Sequence, residues 1–280
     1  MVDRKIVFNA SLPRSGSTLL QNILAQNPRF YCTPTSGVVD LLLASRKYYT
    51  DLAEFRAQDA DLMHRGFTNY CRHGIQGFFG GVTDKPVCVD KCRSWFHYHD
   101  WVQQFVDNPK YIVCVRDLRA IIASMEKLFR RNRDRADAAD ATGSLAMITV
   151  NNRVTNWLNG PPVGIAIARL IEAVQTNTLR HLHIVRFEDL TTNPAEVMKR
   201  IYAYLEEPLF QHDFNNVVQL THENDQYHTI YGDHHIRSRV EPVPPDYVDV
   251  LGRDISNLIY NNYALFYRTF YADRPAPRAG

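Results

Sequence analysis

Residues 9–24 read NASLPRSGSTLLQNIL, and this stretch limits the choice of fold more than any other. An apolar run ends, Pro13, Arg14 and Gly16 follow among hydroxyl residues, and an amphipathic helix begins. Backbone N–H groups around such a glycine, together with a helix N-terminus, form a concavity that attracts anions. Ser15, Ser17 and Thr18 add hydroxyl donors, and Arg14 adds a bidentate cation. The triphosphate signature (Gly, four residues, then Gly-Lys-Ser/Thr) is not met: with Gly16 as the second glycine, the first falls on Ser11 and the lysine on Ser17.

Four short β-branched or aromatic runs read as buried parallel strands: Ile6–Ser11, Val87–Lys91, Tyr111–Arg116 and His183–Phe187. Helical periodicity lies between them, over Ser17–Gln26 (Leu19, Leu20, Ile23, Leu24) and Leu118–Arg130 (Ile121, Ile122, Met125, Phe129). A third helix begins at TNPAEV, with Asn193 as cap, Pro194 in the first position and Glu196 closing the capping box. A last one is expected over Tyr247–Phe270. This alternation predicts an α/β fold, a single parallel sheet flanked by helices, in one domain over residues 1–280 with a disordered tail from about residue 272 to 280. Ligands of such sheets bind beyond the carboxyl ends of the strands. Three of the four expected strand ends carry a cation there, Arg14, Lys91 and Arg116, so the ligand should bear more than one anionic group.

A net charge of +2 makes no general demand for nucleic acid. No run of about 18 apolar residues predicts a membrane span, and MVDRKIVFNAS reads as a first strand, so a cytoplasmic protein without membrane or nucleic-acid partners is expected. The odd number of cysteines, five, favours free thiols. Cys88 and Cys92, followed by His97 and His99, do not have the spacing of a strong zinc pattern, so no metal is expected. Arg130, Arg131, Arg133 and Arg135 crowd into FRRNRDR ahead of ADAADATGS, either as a solvated helix end or as a lid over an anion.

The segment LPRSGSTLL resembles the 5′-phosphosulfate loop of sulfotransferases that use 3′-phosphoadenosine-5′-phosphosulfate (PAPS), and is more similar to the Pro-Arg-Ser-Gly-Thr-Thr of the tyrosylprotein enzymes than to cytosolic members, which carry Lys at the Arg14 position. VRDLRAIIAS supplies Arg116 and, eight residues later, Ser124, the pair that holds the 3′-phosphate in those families. VRFEDLTTNP is similar to their Tyr-Glu-Asp-Leu region, with Phe187 at the aromatic position near adenine. HHIRSRVEP resembles the late loop over the 3′-phosphate, implicating Arg237, Ser238 and Arg239. The resemblance runs from residue 9 to about residue 245. It implies a P-loop NTPase-like sulfotransferase architecture, PAPS as donor, adenosine 3′,5′-bisphosphate (PAP) as product, and no metal.

The implied reaction places Arg14 and Lys91 on the charge of the leaving phosphate, much as in phosphoryl transfer. Lys91 and Asp90 are adjacent on a strand and should face opposite ways. The base does not carry over. Arg93 and Ser94 stand where cytosolic enzymes place a His, and RFYCTPTSG lacks the carboxylate of the tyrosylprotein enzymes. Asp90, His97 and His99 are the nearest candidates. The aromatic-rich segments YCTPTSGVVDLLLASRKYY and HRGFTNYCRHGIQGFFGG are expected to line the acceptor pocket. The expected activity is sulfuryl transfer to a hydroxyl or amine of a small molecule, with oligomeric state open. A small-molecule kinase, a peptide-tyrosine sulfotransferase and a non-catalytic bisphosphate-binding module stand as alternatives.

Overall fold

A computed structural model describes residues 3–132, 148–231 and 233–273. Its centre is a five-stranded, wholly parallel sheet: β1 (Lys5–Asn9), β2 (Phe30–Thr35), β3 (Val87–Lys91), β4 (Lys110–Val115) and β5 (Leu182–Arg186), in spatial order β2-β3-β1-β4-β5. The first strand therefore lies in the middle, with β3 and β4 on either side. Their carboxyl ends open into one crevice, where the strand order reverses. The expected sheet is present, with one strand added. β2 had no periodic signal, because it is an edge strand interrupted by Pro34 and paired only with β3.

Alternation along the strands sends side chains into two cores. Ile6, Phe8, Cys88, Tyr111, Val113 and Val115 enter one, shared with α6 (Leu118–Asn132) and the C-terminal helices. Val7, Val87, Val89, Ile112 and Cys114 enter the other, where α1 (Ser17–Ala25) and α10 (Pro194–Leu205) supply Leu20, Ile23, Leu24, Met198 and Ile201. Helices thus cover both faces. Between them in the chain come α2 (Val38–Asp51), α3 (Ala53–Arg56), α4 (Ala60–Val82), α5 (His99–Val102), α7 (Val150–Asn159), α8 (Val163–Gln175) and α9 (Phe187–Thr192). All five cysteines are free thiols. Among the described residues, no helix is long and apolar enough to cross a membrane.

Two local expectations change. Asn193 precedes α10 with Pro194 in its first turn, but the Asn193 side chain makes no cap hydrogen bond. The single helix expected over Tyr247–Phe270 is three: α11 (Tyr247–Leu251), α12 (Arg253–Asn262) and α13 (Ala264–Phe270). Gly252 adopts φ +84 at the first break, a conformation that interrupts the helix and suits glycine.

Buried charge ties this C-terminal unit and α7 to the sheet side. Arg119 grips Asp117 with two bonds (3.0 and 2.6 Å) beneath the rings of Tyr247, Tyr260 and Tyr267. Glu126, wholly buried on α6, accepts from Arg130 at 2.7 Å and from Arg153 of α7 at 2.6 and 2.8 Å. Arg130 is therefore structural. Arg133 and Arg135, with the rest of the expected lid over residues 133–147, lie outside the described residues. Asp273, inside the expected disordered tail, pairs with Arg186; residues 274–280 lie outside the described residues.

Three strongly shifted groups contribute to the pH dependence of stability, and His99 and His234, also lowered by burial, act in the same sense as the histidines among them. Burial lowers His183 and His212 from 6.5 to about 4. Burial alone would raise Glu223, but Lys91, the Thr35 N–H and His234 bring it down from 4.5 to about 2. In each case the unfolded chain binds the proton at higher pH than the folded one, so stability falls on acidification. The two histidines act as pH drops from 6.5 towards 4, each by at most about 1.4 kcal/mol per pH unit, and Glu223 acts from 4.5 towards 2. Thermal melts at constant ionic strength should show Tm declining through both windows, and a His183→Gln/His212→Gln variant should flatten the upper one.

Candidate active site

Beyond Asn9 the chain stays against β4, where Ala10 and Leu12 donate to the carbonyls of Ile112 and Cys114 at 2.9 and 3.0 Å. It then turns sharply. Arg14 takes φ +57 and Gly16 φ +88, left-handed conformations that cost a side-chain-bearing residue energy. Ser15 is fully buried, and its hydroxyl donates to the Leu12 carbonyl at 2.6 Å. The loop is therefore closed by its own hydroxyl before α1 starts at Ser17. Ser17 and Thr18 sit in the first turn of α1 and line a cleft of about 660 Å³ at the carboxyl edge of the sheet. Their amides belong to the set that has no partner inside the helix.

A buried polar network supports the loop from below. Ser11 Oγ donates to Asn9 Oδ1 at 2.5 Å and accepts the Cys114 N–H at 2.7 Å. Gln21 joins Asn9 to the Thr33 and Val89 carbonyls, each at 3.0 Å. Five elements, β1 to β4 and α1, are thus fixed relative to one another by groups that cannot reach solvent, so breaking any link leaves a buried polar atom unsatisfied.

The cations converge over this base. Arg116, just beyond β4, donates to the Arg14 carbonyl at 3.1 Å and lies 4.3 Å over the Phe187 ring. Arg14 Nε donates to Ser124 Oγ at 3.1 Å, so Ser124, two turns along α6, does face the strand end. Burial lowers both arginines below their ordinary pKa, and each depresses the charged form of the other or of its neighbours: Arg116 feels Arg14, and Arg14 feels Arg131. The Glu188 carboxylate offsets this at Arg116 more than any other charge, although among the described residues no carboxylate forms a direct ion pair with it. Lys91, at the end of β3, is held by Thr18 Oγ1 at 3.3 Å and Glu223 at 3.0 Å. Phe187 packs so closely on Gly16 that a Cβ there would lie 2.5 Å from Cδ2 of the ring. Loop, aromatic ring and Arg116 form one stack.

A family model described as "Sulfotransferase family" matches residues 7–212 of this architecture. The chain belongs to the sulfotransferase family. Protein-tyrosine sulfotransferase A of Caenorhabditis elegans is 22% identical over 205 residues, which are 72% of this chain and 50% of that protein. The chain thus spans about half the length of this curated relative. Two solved sulfotransferase structures share the fold. The sulfotransferase domain from the curacin biosynthetic pathway aligns with TM-score 0.56 and 16% identity over 93% of this chain and 98% of that one. Mouse sulfotransferase SULT7A1 complexed with PAP aligns with TM-score 0.52 and 12% identity over 98% and 88%.

In this chain the cleft brings together Arg14, Gly16, Ser17, Thr18, Lys91, Arg116, Ser124, Phe187, Arg237 and Arg239. Ser15 and Ser238 are not among its lining. Ser15 faces inward, and Ser238, though exposed, uses its carbonyl to accept the Val217 N–H at 2.6 Å. Asp90 points away from Lys91 as expected of neighbours on a strand: it is fully buried, accepts from Trp95 Nε1 at 2.7 Å, and is raised in pKa by burial. His97 lies outside the cleft, 3.8 Å from Glu172, and His99 is buried against Tyr111 and His181. Cys88 is buried in the sheet core. The aromatic segments of α2 and α4 pack on each other, as in the Tyr49–Phe67 stack at 4.3 Å. Of the two segments expected to line the acceptor pocket, Thr35 on β2 lines the cleft, and none of the residues of α2 or α4 does.

The sequence reading missed the residues that answer these cations. Asp233 accepts from Arg14 through its carbonyl at 2.6 Å and lies 2.6 Å from Arg131 through its carboxylate. Glu223 accepts from the Thr35 N–H, the Thr35 hydroxyl and Lys91. His234 lines the cleft and bonds Asp225 at 2.6 Å. The available signal was the density of acids and histidines in THENDQYHTIYGDHH, just ahead of the basic loop.

The Gly16–Phe187 contact makes a direct test. Gly16→Ala adds a clash to an already left-handed φ and should destabilise the protein by about 2 kcal/mol or more. Phe187→Ala in the same chain should recover part of that loss, read as coupling in a double-mutant cycle by urea denaturation.

Proposed function

We propose that this chain transfers a sulfuryl group from PAPS to a hydroxyl or amine acceptor, a small molecule, and releases PAP, with residues 1–280 acting as one catalytic unit. The observation that carries the proposal is the presence of two separate cation sets on one cleft. Arg14, Lys91 and the first turn of α1 suit a 5′-phosphosulfate, while Arg116 and Ser124, flanked by Arg237 and Arg239, suit a 3′-phosphate. The donor's chemistry fits these residues on their own evidence, because Arg14 and Lys91 already hold carboxylate groups and the buried Arg116, beside Arg14, makes no direct ion pair among the described residues. Phe187, stacked with Arg116, offers a flat apolar face for a base.

In this reading the α1 amides, Arg14 and Lys91 stabilise charge that grows on the departing phosphate oxygen, a transition-state interaction and hence an effect on turnover. The bound PAP of the mouse relative and the family match support the donor class. The triphosphate alternative is disfavoured by Ser17 at the position where the lysine is needed. The name of the nematode relative favours a peptide tyrosine as the second acceptor reading.

Calorimetric titration with PAP, beside ATP with and without magnesium, tests the donor. PAP should bind regardless of magnesium; preference for magnesium–ATP would transfer the chain to the kinase reading. Arg116→Ala should weaken PAP binding by about 2 kcal/mol, roughly 30-fold. Equal affinity in that variant removes Arg116 from the 3′-phosphate.

Lys91→Ala should lower kcat far more than it alters PAP affinity, as expected of a group used mainly in the transition state. Turnover of a phenol and of a tyrosine peptide, with melting curves recorded for both proteins, checks this and separates the two acceptor classes.

A further inference from the structure

The sulfuryl-transfer reading leaves the acceptor's proton without a destination. Asp90, His97 and His99 are outside the cleft, and Arg93 and Ser94 cannot serve at neutral pH. Glu223 touches Lys91, yet three donors converge on its Oε1 and it stays ionised down to about pH 2, which makes it a weak base. His234 differs in each respect. It lines the cleft, and Asp225 clasps it twice, through the ring Nδ1 at 2.6 Å and through the backbone N–H at 3.4 Å. A carboxylate on Nδ1 makes that nitrogen the donor and leaves basicity at Nε2. Nε2 lies 3.7 Å from Glu223 Oε2, beyond hydrogen-bond distance, and Glu223 in turn holds Lys91. Asp225, His234, Glu223, Lys91 and Thr18 therefore form a continuous row ending at the N-terminus of α1.

We propose that His234 accepts the proton of the acceptor hydroxyl through Nε2, with Asp225 as the residue that positions its ring. This rests on the sulfuryl-transfer reading. The acceptor oxygen forms its bond to sulfur as the bond from sulfur to the 5′-phosphate oxygen breaks. The electron pair of that bond stays on the phosphate, towards Arg14 and Lys91, and the hydroxyl proton passes to Nε2 and afterwards to water. The groups facing the ring are Asp225 and Glu223 from its own segment and Lys91 from β3, with Asp233 next in the chain directed to Arg14 and Arg131. Burial and Lys91 favour the neutral ring, and the two carboxylates stabilise the imidazolium once it forms.

Long-range proton–nitrogen spectra of protein labelled at histidine nitrogens, assigned with His234→Gln and recorded from about pH 6 to about pH 9, read the ring directly. The proposal requires a neutral ring with the proton on Nδ1 at the upper end. An imidazolium that persists throughout, or a proton on Nε2, overturns it. With PAPS and phenol as probes, His234→Gln should lower kcat by about 100-fold or more, with a smaller loss for the more acidic p-nitrophenol. Asp225→Asn should lower kcat for phenol and shift its pH profile. Undiminished turnover of phenol in His234→Gln sinks the assignment. PAP titration keeps the two readings apart: wild type that ignores PAP removes the sulfuryl-transfer reading whatever the tautomer, whereas His234→Gln should bind PAP as wild type does.

Discussion

Arg14 and Arg116 are held side by side at the carboxyl edge of the sheet, and much of the remaining structure answers that proximity. Two guanidiniums joined through the Arg14 carbonyl repel one another, and burial weakens the water that would screen them. The fold tolerates this because the segment from Glu223 to His234 brings carboxylates across. Asp233 goes to Arg14 and Arg131, and Glu223 goes to Lys91. That segment is not a strand or a long helix. Its course is governed by charge and by bonds such as Asn22 to the Leu220 and Thr221 amides, which pin its start to α1.

The sheet order explains why residues so far apart in sequence share one site. With β1 between β3 and β4, the chain positions just past those three strands become neighbours, and they hold the loop of Arg14, Lys91 and Arg116. Parallel strands all present carboxyl ends to the same edge, so a cation at each end needs no further device to converge. β5 adds Phe187 at the same edge, where its ring closes on Gly16. The absence of a side chain at position 16 is then required twice, by the left-handed backbone and by the ring.

What could be read in the sequence was what repeats or follows a short-range rule. Strand runs and the Leu20 and Ile121 helix faces are local patterns found where periodicity predicts them, and Ser124, eight residues after Arg116, faces the strand ends, where it meets Arg14. β2 escaped because an edge strand with Pro34 has neither the apolar run nor the full ladder of an inner strand. The C-terminal helix was drawn too long because aromatic residues at helical spacing continue across Gly252, whose backbone ends the first piece. Glu223, Asp225 and His234 escaped for a different reason. Their roles depend on partners about 130 or more residues away on β3 or on a loop conformation, and no local spacing encodes either.

The same charge argument bears on how the cleft is kept ready. A site built for an anion of several charges would be costly to fold with every cation unpaired, since buried charges need partners. Here the partners are side chains of one segment, bound mostly through single contacts of about 3 Å. Arg116 is the exception: among the described residues its direct partners are a carbonyl and an aromatic face, and the Glu188 and Asp246 carboxylates act on it without a direct ion pair. A ligand bearing two anionic groups would meet one cation without a direct ion pair among the described residues and others whose counter-charges sit on a loop. At Arg116 a ligand phosphate therefore displaces no direct ion pair, because the nearby Glu188 carboxylate is occupied by the Asp117 N–H and the Tyr271 hydroxyl.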